Sequence, residues 1–381
     1  MKRIIITVLA ILMVLSLFTA CGQKSDTVKV GINMELSGSV ATYGEDTVKG
    51  IDLAIEQVNA AGGINGKQVE VVKYDNKSDA AEATTLATKL MTGDKVLAVM
   101  GPATSGAFKA EIPVGIQNKV PVISGSATAD DVTVDATGVK EYAFRICFND
   151  SYQGTAMANF AYSNLSKSKA IIIKDSSSDY SKGLADSFTK AFTGAGGSIV
   201  SEEAYVAGDT DFNAVLTKIK DMDFDVIFIP GYYEEAGLII KQARALGIEA
   251  PILGADGFDS PKLAELAGND AANDIYFSNH YSSLDQSPVV QDFIKAYKEK
   301  YNTDPNAFNA LGYDLAKFTC DGISRASQAT GEAVKDALAS TKDFNGVTGT
   351  FSVGDDHNAI KALVVIEMQG GKQVSSVRAG A

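Results

Sequence analysis

Residues 96–128 read VLAVMGPATSGAFKAEIPVGIQNKVPVISGSAT. Val96 to Met100 is an unbroken apolar run, the length of a buried strand. Gly101-Pro102 ends it, and Ser105 to Gln117 turns helical. Val120 to Ser124 is a second strand. A strand, a helix and a strand in that order imply a right-handed crossover and a parallel sheet covered by helices. Both strands run into polar, glycine-containing turns, Gly101-Pro102-Ala103-Thr104-Ser105 and Ser124-Gly125-Ser126-Ala127-Thr128. Ligands of open α/β sheets bind beyond such strand ends.

The same alternation extends in both directions. Upstream, Thr27 to Met34 is strand-like, and a helix starts from Glu45. Val48, Ile51, Ile55 and Val58 share one face of it, and Gly62-Gly63 stops it. Gln68 to Tyr74 follows as strand and Ala80 to Met91 as helix. Downstream, the rhythm restarts at Asn149. Helices Tyr152 to Leu165, Tyr180 to Phe192, Phe212 to Met222 and Glu234 to Leu246 alternate with strands Lys169 to Lys174, Ser198 to Ala204, Val226 to Ile229 and Pro251 to Leu253. Two α/β units thus fill residues 27 to about 280. The remainder has helices near Val289 to Tyr301 and Phe308 to Gln328, then strands Gly346 to Ser352 and Ala362 to Met368. It is too short for a third unit and is expected to complete the first two. The second unit also ends strands in polar turns, Gly231-Tyr232-Tyr233 and Gly254-Ala255-Asp256-Gly257. Two such edges facing each other would enclose a cleft.

At 381 residues, 45% hydrophobic and 21% charged, the chain has the composition of a globular protein too long for one core. Lys2 and Arg3 precede an uncharged apolar run from Ile4 to Phe18, then Thr19-Ala20-Cys21-Gly22. This is an export signal, too short to cross a ~30 Å hydrocarbon core. Its end resembles a bacterial lipobox, in which Cys21 would be lipidated after removal of residues 1–20. Phe18 departs from the usual Leu of that motif, and plain cleavage after Ala20 is the alternative. The net charge of −13 becomes −15 once Lys2 and Arg3 are removed. Such a surface opposes binding to nucleic acid and anionic lipid. No later run reaches the ~18 apolar residues of a membrane span, so a lipid is the expected membrane contact. Cys147 and Cys320 read as buried free thiols. His280 and His357, without a CxxC, give no zinc signature.

Catalytic and nucleotide-binding signatures are missing. There is no P-loop and no G-x-S-x-G elbow. Gly194-Ala195-Gly196-Gly197 lies between helix and strand, the wrong order for a dinucleotide loop. Neither histidine has an evident serine or acid partner. Asp355-Asp356-His357 reads as a solvated hairpin tip. What remains is binding chemistry. Ser105 at a helix start suits an anion such as a carboxylate, although helix capping alone would also explain a hydroxyl there. Ser126 and Thr128 follow the next strand on the same edge. Asp256 lies beyond a strand of the second unit, where it could meet a cation. Tyr43, Tyr180, Tyr232 and Phe308 fall in loops or at helix starts and suit a partly apolar pocket.

These stretches together resemble the solute receptors of branched-chain amino acid ABC transporters, the leucine/isoleucine/valine-binding proteins of periplasmic-binding-protein type I. The resemblance runs over nearly all of the mature chain. It rests on Leu36-Ser37-Gly38 with Tyr43-Gly44, on Ala60-Ala61-Gly62-Gly63-Ile64-Asn65-Gly66, and on Gly101-Pro102. Pro121-Val122-Ile123-Ser124, Asp179-Tyr180-Ser181-Lys182-Gly183 and Ile240 to Gly247 add to it. It implies two Rossmann-like lobes with parallel sheets, joined by three crossing strands, with the ligand cleft between them. The crossings fall near Cys147-Phe148, Asn279-His280 and Gly346, which gives 27–147 plus 281–345 as lobe one and 148–280 plus 346–381 as lobe two. It implies capture of Leu, Ile or Val by hinge closure and delivery to a membrane permease, without catalysis or cofactor, by a monomer held outside the cytoplasm. Ser105, Ser126 and Thr128 would hold the ligand carboxylate, Tyr180 and Asp256 its ammonium, and Tyr43, Tyr232 and Phe308 would form the walls. Asp256 stands where the family often has Glu. One methylene less either tightens the pocket or admits a water. The absence of Trp removes a wall that some relatives use. The alternatives are another amino acid, amide or small carboxylate as ligand, or a ligand-sensing receptor module.

Overall fold

The computed structural model describes residues 27–379, so the export leader and Cys21 lie outside the described residues. The first unit runs β1 (Val28–Met34), α1 (Ala41–Ala60), β2 (Val69–Asp75), α2 (Ala80–Thr88), β3 (Val99–Met100), α3 (Ser105–Asn118), β4 (Val122–Ser124) and β5 (Ala143–Arg145). Its strands lie in the order β2-β1-β3-β4-β5, every pair parallel. All but one residue of β1 are buried, as a central parallel strand covered on both faces requires.

The second unit runs α4 (Asp150–Asn159), β6 (Lys169–Asp175), α5 (Asp179–Gly194), β7 (Ser198–Tyr205), α6 (Asn213–Ile219), β8 (Val226–Phe228), α7 (Tyr233–Ala245), β9 (Ile252–Gly254), α8 (Pro261–Ala267) and β10 (Ile275–Asn279). The chain then forms α9 (Pro288–Tyr301), α10 (Ala307–Arg325) and α11 (Gly331–Ala339). A small antiparallel sheet follows, β11 (Phe344–Gly346), β12 (Gly349–Val353) and β13 (Ala359–Ile360). Last come β14 (Leu363–Gln369) and β15 (Lys372–Ala379). The second sheet has the order β15-β14-β10-β9-β8-β6-β7. Its body is parallel, and β14 and β15 add antiparallel at the β10 edge. The sequence reading did not anticipate β15. Its apolar content is low, and the Gly370-Gly371 turn, with φ of 58° and 72°, creates it as a hairpin partner of β14.

Helices α1 and α10 join the end of the chain to the first unit. Their backbones touch: a Cβ on Gly50 would stand 2.0 Å from the Asn309 carbonyl oxygen, and one on Gly312 would stand 2.0 Å from that of Thr47. Only glycine permits this approach. The small sheet also packs on the first unit. Phe351 and Phe344 meet Phe318 of α10 at ring separations of 5.6 and 5.7 Å. His357 stacks on Phe144 of β5 at 4.1 Å, so the Asp355-Asp356-His357 tip is held by the fold rather than solvated throughout. We therefore place the third passage between lobes at Lys361–Leu363, later than Gly346. Lys361 is buried there. Its ammonium donates to the Ile146 carbonyl, beside the first passage, at 3.1 Å and to Thr348 Oγ1 at 2.6 Å. Cys147 and Cys320 are buried free thiols. No helix among the described residues is long and apolar enough to cross a membrane.

Candidate functional site

The carboxyl ends of the two sheets face each other across a closed cleft. Tyr43 of α1 donates its hydroxyl to the Gly257 carbonyl of the opposite lobe. Tyr233 donates back to the Ser39 carbonyl at 3.2 Å. Lys109 of α3 bridges Asp131 at 2.6 Å and Asp179 of α5 at 2.9 Å. Between the lobes the closed cleft leaves only a narrow cavity. Its lining includes Tyr43, Ser105, Ser126, Tyr180, Tyr232, Asp256 and Phe308. Thr128 is not on the lining. It is wholly buried one step behind, and its hydroxyl has no hydrogen-bond partner of ordinary geometry among the described residues.

On the first lobe, the turns after β3 and β4 are shaped from within. The buried Glu35 carboxylate accepts from Ala103 N at 2.9 Å, Thr104 N at 3.0 Å and Thr104 Oγ1 at 2.7 Å. This draws the Thr104 hydroxyl away from capping α3, and no side chain caps that helix. Its first-turn amides and positive dipole end are thereby directed at the cavity. Ser105 Oγ accepts from Ala129 N at 3.0 Å, and Ser126 Oγ donates to the Ala103 carbonyl at 2.9 Å, so the two turns are tied together. Arg145, wholly buried, holds the second turn. Its Nη1 donates to the carbonyls of Thr128 at 2.9 Å and Ala129 at 2.8 Å, and its Nε donates to Asn358 Oδ1 at 2.6 Å. Glu35, Arg145 and Asn358 carried no sequence signal, because each acts on backbone supplied by a distant segment.

On the second lobe the acid is Asp256. Its Oδ1 accepts from the Tyr180 hydroxyl at 2.8 Å and from Gln153 Nε2 at 3.1 Å. Its Oδ2 lies 3.2 Å from His280 Nε2. The expectation that neither histidine has an acid partner is thus corrected for His280. The chain brings His280 back to Asp256 through β10, a pairing that the spacing of the two residues does not reveal. Burial pulls the His280 pKa down to about 4, against the opposing pull of Asp256, so the ring is neutral at pH 7. A neutral ring facing a carboxylate carries its proton on Nε2 and donates it. Among the described residues no cluster of side chains is arranged to hold a metal ion.

The walls are aromatic. Tyr43 stacks on Phe308 with ring centres 4.3 Å apart and meets Tyr232 edge-on at 5.6 Å. Tyr180 stacks on Tyr232 at 5.1 Å. Burial, reinforced by neighbouring carboxylates, holds the hydroxyls of Tyr43, Tyr180 and Tyr232 well above the usual tyrosine range. They are neutral donors at every physiological pH. The arrangement offers hydroxyls and helix amides from one lobe, a carboxylate from the other, and rings between them.

Two α/β lobes with parallel sheets, joined by three passages and closed on such a cavity, define a binding protein of the periplasmic type I class. Residues 27–373 match the family model described as periplasmic binding protein, and the chain belongs to that family. It is 31% identical over 322 residues to the leucine-, isoleucine-, valine-, threonine- and alanine-binding protein of Pseudomonas aeruginosa, with 84% of each chain covered. Among solved structures it resembles the branched-chain amino acid transporter substrate-binding protein LivJ of Streptococcus pneumoniae in complex with isoleucine. That likeness has a TM-score of 0.89 and 44% identity, over 93% of this chain and 99% of the other. A solute-binding protein of an ABC transporter from R. palustris, in complex with benzoate, matches with a TM-score of 0.82 and 25% identity, over 91% and 95%.

Proposed function

We propose that this protein is the extracytoplasmic receptor of an ABC importer and captures an aliphatic L-amino acid, Leu, Ile or Val, between its lobes. One observation carries the ligand class. The cavity has an uncapped helix start and hydroxyls on its first-lobe side, and the buried Asp256 carboxylate on its second-lobe side. Those are the counterparts of the two ends of a zwitterion. The ligand carboxylate lies on Ser105 and Ser126, with Thr128 behind them, and the ammonium on Asp256 with Tyr180. The side chain lies among Tyr43, Tyr232 and Phe308. The receptor works as a monomer and hands its ligand to a membrane permease, which supplies the ATP chemistry. Names of relatives that bind branched-chain amino acids support this reading. The benzoate-binding relative has a ligand without an ammonium, for which the buried Asp256 charge would be a liability.

Calorimetry of the mature protein tests it, with the amino acids and benzoate as ligands. Leu, Ile and Val are expected to bind at micromolar affinity or better, about −8 kcal/mol, with overlap among the three. A methylene in such a pocket shifts affinity by only ~1–3 kcal/mol. Tight binding of benzoate with none of the three would overturn the assignment. The receptor is tethered through a lipid on Cys21. Cys21→Ser is then expected to move it from the membrane fraction to the soluble fraction or medium. A native protein already found there would leave simple secretion.

A further inference from the structure

The site as described leaves one buried acid without a part. Asp150 opens α4 and is wholly buried at the seam between the lobes. Its backbone N–H donates to the Thr128 carbonyl at 2.8 Å. Its Oδ1 accepts from Gln153 Nε2 at 2.9 Å, and the same Gln153 amide donates to Asp256 Oδ1. Two dry carboxylates that share one amide cannot both ionise cheaply. The donors around them decide which one does. Asp256 receives three: the Tyr180 hydroxyl, the Gln153 amide and neutral His280. Asp150 has one side-chain donor of ordinary geometry, the Gln153 amide, and beyond it only the Thr128 hydroxyl. An ionised oxygen without a donor is costly in a dry site, whereas a protonated acid needs only an acceptor. That acceptor is adjacent. The Thr128 hydroxyl faces the Asp150 carboxyl. Asp150 Oδ2 and Thr128 Oγ1 are also both buried without a hydrogen-bond partner of ordinary geometry among the described residues. The two orphaned atoms answer each other.

We infer that Asp150 is a positioning residue of the amino-acid site: as a neutral acid it donates its Oδ2–H to Thr128 Oγ1 and so turns the Thr128 hydroxyl proton toward the ligand carboxylate. The inference rests on the amino-acid reading of the cleft. It explains how Thr128, set behind the lining, still serves the ligand. It also leaves the site one negative charge, on Asp256, opposite one ammonium. The surroundings of Asp150 agree. Burial raises its pKa well above the usual carboxylate range and the charges of Asp256 and Asp130 add to that, against the opposing pull of hydrogen bonds with Gln153 and Thr128. Tyr180, Tyr232 and Cys147 face it as neutral groups. The Arg145 guanidinium stands behind Thr128, engaged with backbone carbonyls.

Three variants of the mature protein test it, with leucine as the probe. Asp150→Ala is expected to weaken binding roughly tenfold, the scale of one hydrogen bond. Asp150→Asn keeps a donor at the Oδ2 position and is expected to restore affinity to within about threefold of the parent. In a Thr128→Val background, Asp150→Ala is expected to add no further loss. The infrared difference spectrum between ligand-free parent and Asp150→Asn is expected to contain the carbonyl band of a protonated carboxylic acid. Asn binding as weakly as Ala, additive losses with Thr128→Val, or absence of that band would each overturn the inference. The infrared result needs no ligand. A parent protein that shows the band but binds no amino acid would refute the proposed function and leave the protonation of Asp150 standing.

Discussion

Asp256 is the residue on which the ligand class turns. Three donors fix its carboxylate, and an ammonium brought into the closed cleft would lose most of its water and need a charged partner. Asp256→Asn keeps the size and one acceptor oxygen and removes the charge. Its remaining oxygen can still accept from Tyr180 and Gln153, while the new amide faces His280. The neutral ring can meet it by moving its proton to Nδ1, which leaves a buried N–H without an acceptor among the described residues. A stability loss of about 1–3 kcal/mol is expected, short of unfolding. Affinity for leucine is expected to fall by about 2–4 kcal/mol, roughly 30- to 1,000-fold, by analogy with a broken buried charge pair. A variant that binds as the parent does would move the ammonium site to another acid of the second lobe. At this scale the cavity lining was legible. Ser105, Ser126, Tyr180, Tyr232 and Asp256 all lie at strand ends or helix starts, where chain order alone places them at a sheet edge. Their supports were not legible. Glu35, Arg145, Gln153 and His280 act across 69, 17, 103 and 24 residues of chain on their nearest site partners, and no local pattern records such a pairing.

At the scale of elements, the first lobe depends on the crossing of α1 and α10. The glycines there replace side-chain packing with backbone contact, and α1 carries Tyr43 while α10 carries Phe308. Gly50→Ala would force the Asn309 carbonyl away from a contact of 2.0 Å. The two helices must part, and overpacking of this kind costs about 1–3 kcal/mol. The expected outcome is a lowered denaturant midpoint together with weaker leucine binding, because the stacked pair Tyr43–Phe308 straddles the same crossing. An unchanged midpoint would show that the helices part without cost. Most of the strand–helix order of both units was evident from apolar runs and helical spacing, but α8 and β10 carried no pattern that announced them. The ends of elements were less evident. Helix α4 starts before Tyr152, because Asn149 Oδ1 accepts from Tyr152 N at 3.0 Å and caps it two residues early. The small sheet 344–360 has no periodicity that assigns it to a lobe, and its packing on Phe318 and Phe144 does so.

At the scale of the whole molecule, the structure is closed. Tyr43–Gly257, Tyr233–Ser39 and Lys109–Asp179 all cross the cleft. The salt bridge joins the helix that starts at Ser105 to the helix that starts at Asp179, so it links two cavity-lining elements at the cleft's rim. Rim pairs of this kind contribute little each, and a ligand that binds both lobes shifts the balance toward closure. Small-angle scattering is expected to give a smaller radius of gyration with saturating leucine than without it. Superimposable curves would argue against capture by hinge closure.

Most of the order of strands and helices was determined by the sequence itself, because apolar periodicity and turn residues are local properties. The polar strand ends, the absence of catalytic signatures and the acidic balance were likewise readable along the chain. Only the tertiary structure decided which carbonyls Arg145 and Lys361 satisfy, which lobe holds the small sheet, and which acid faces His280. Those choices follow from contacts between segments far apart in sequence. There, burial makes every unpaired donor and charge costly, and the fold settles on the pairing that leaves the fewest of them.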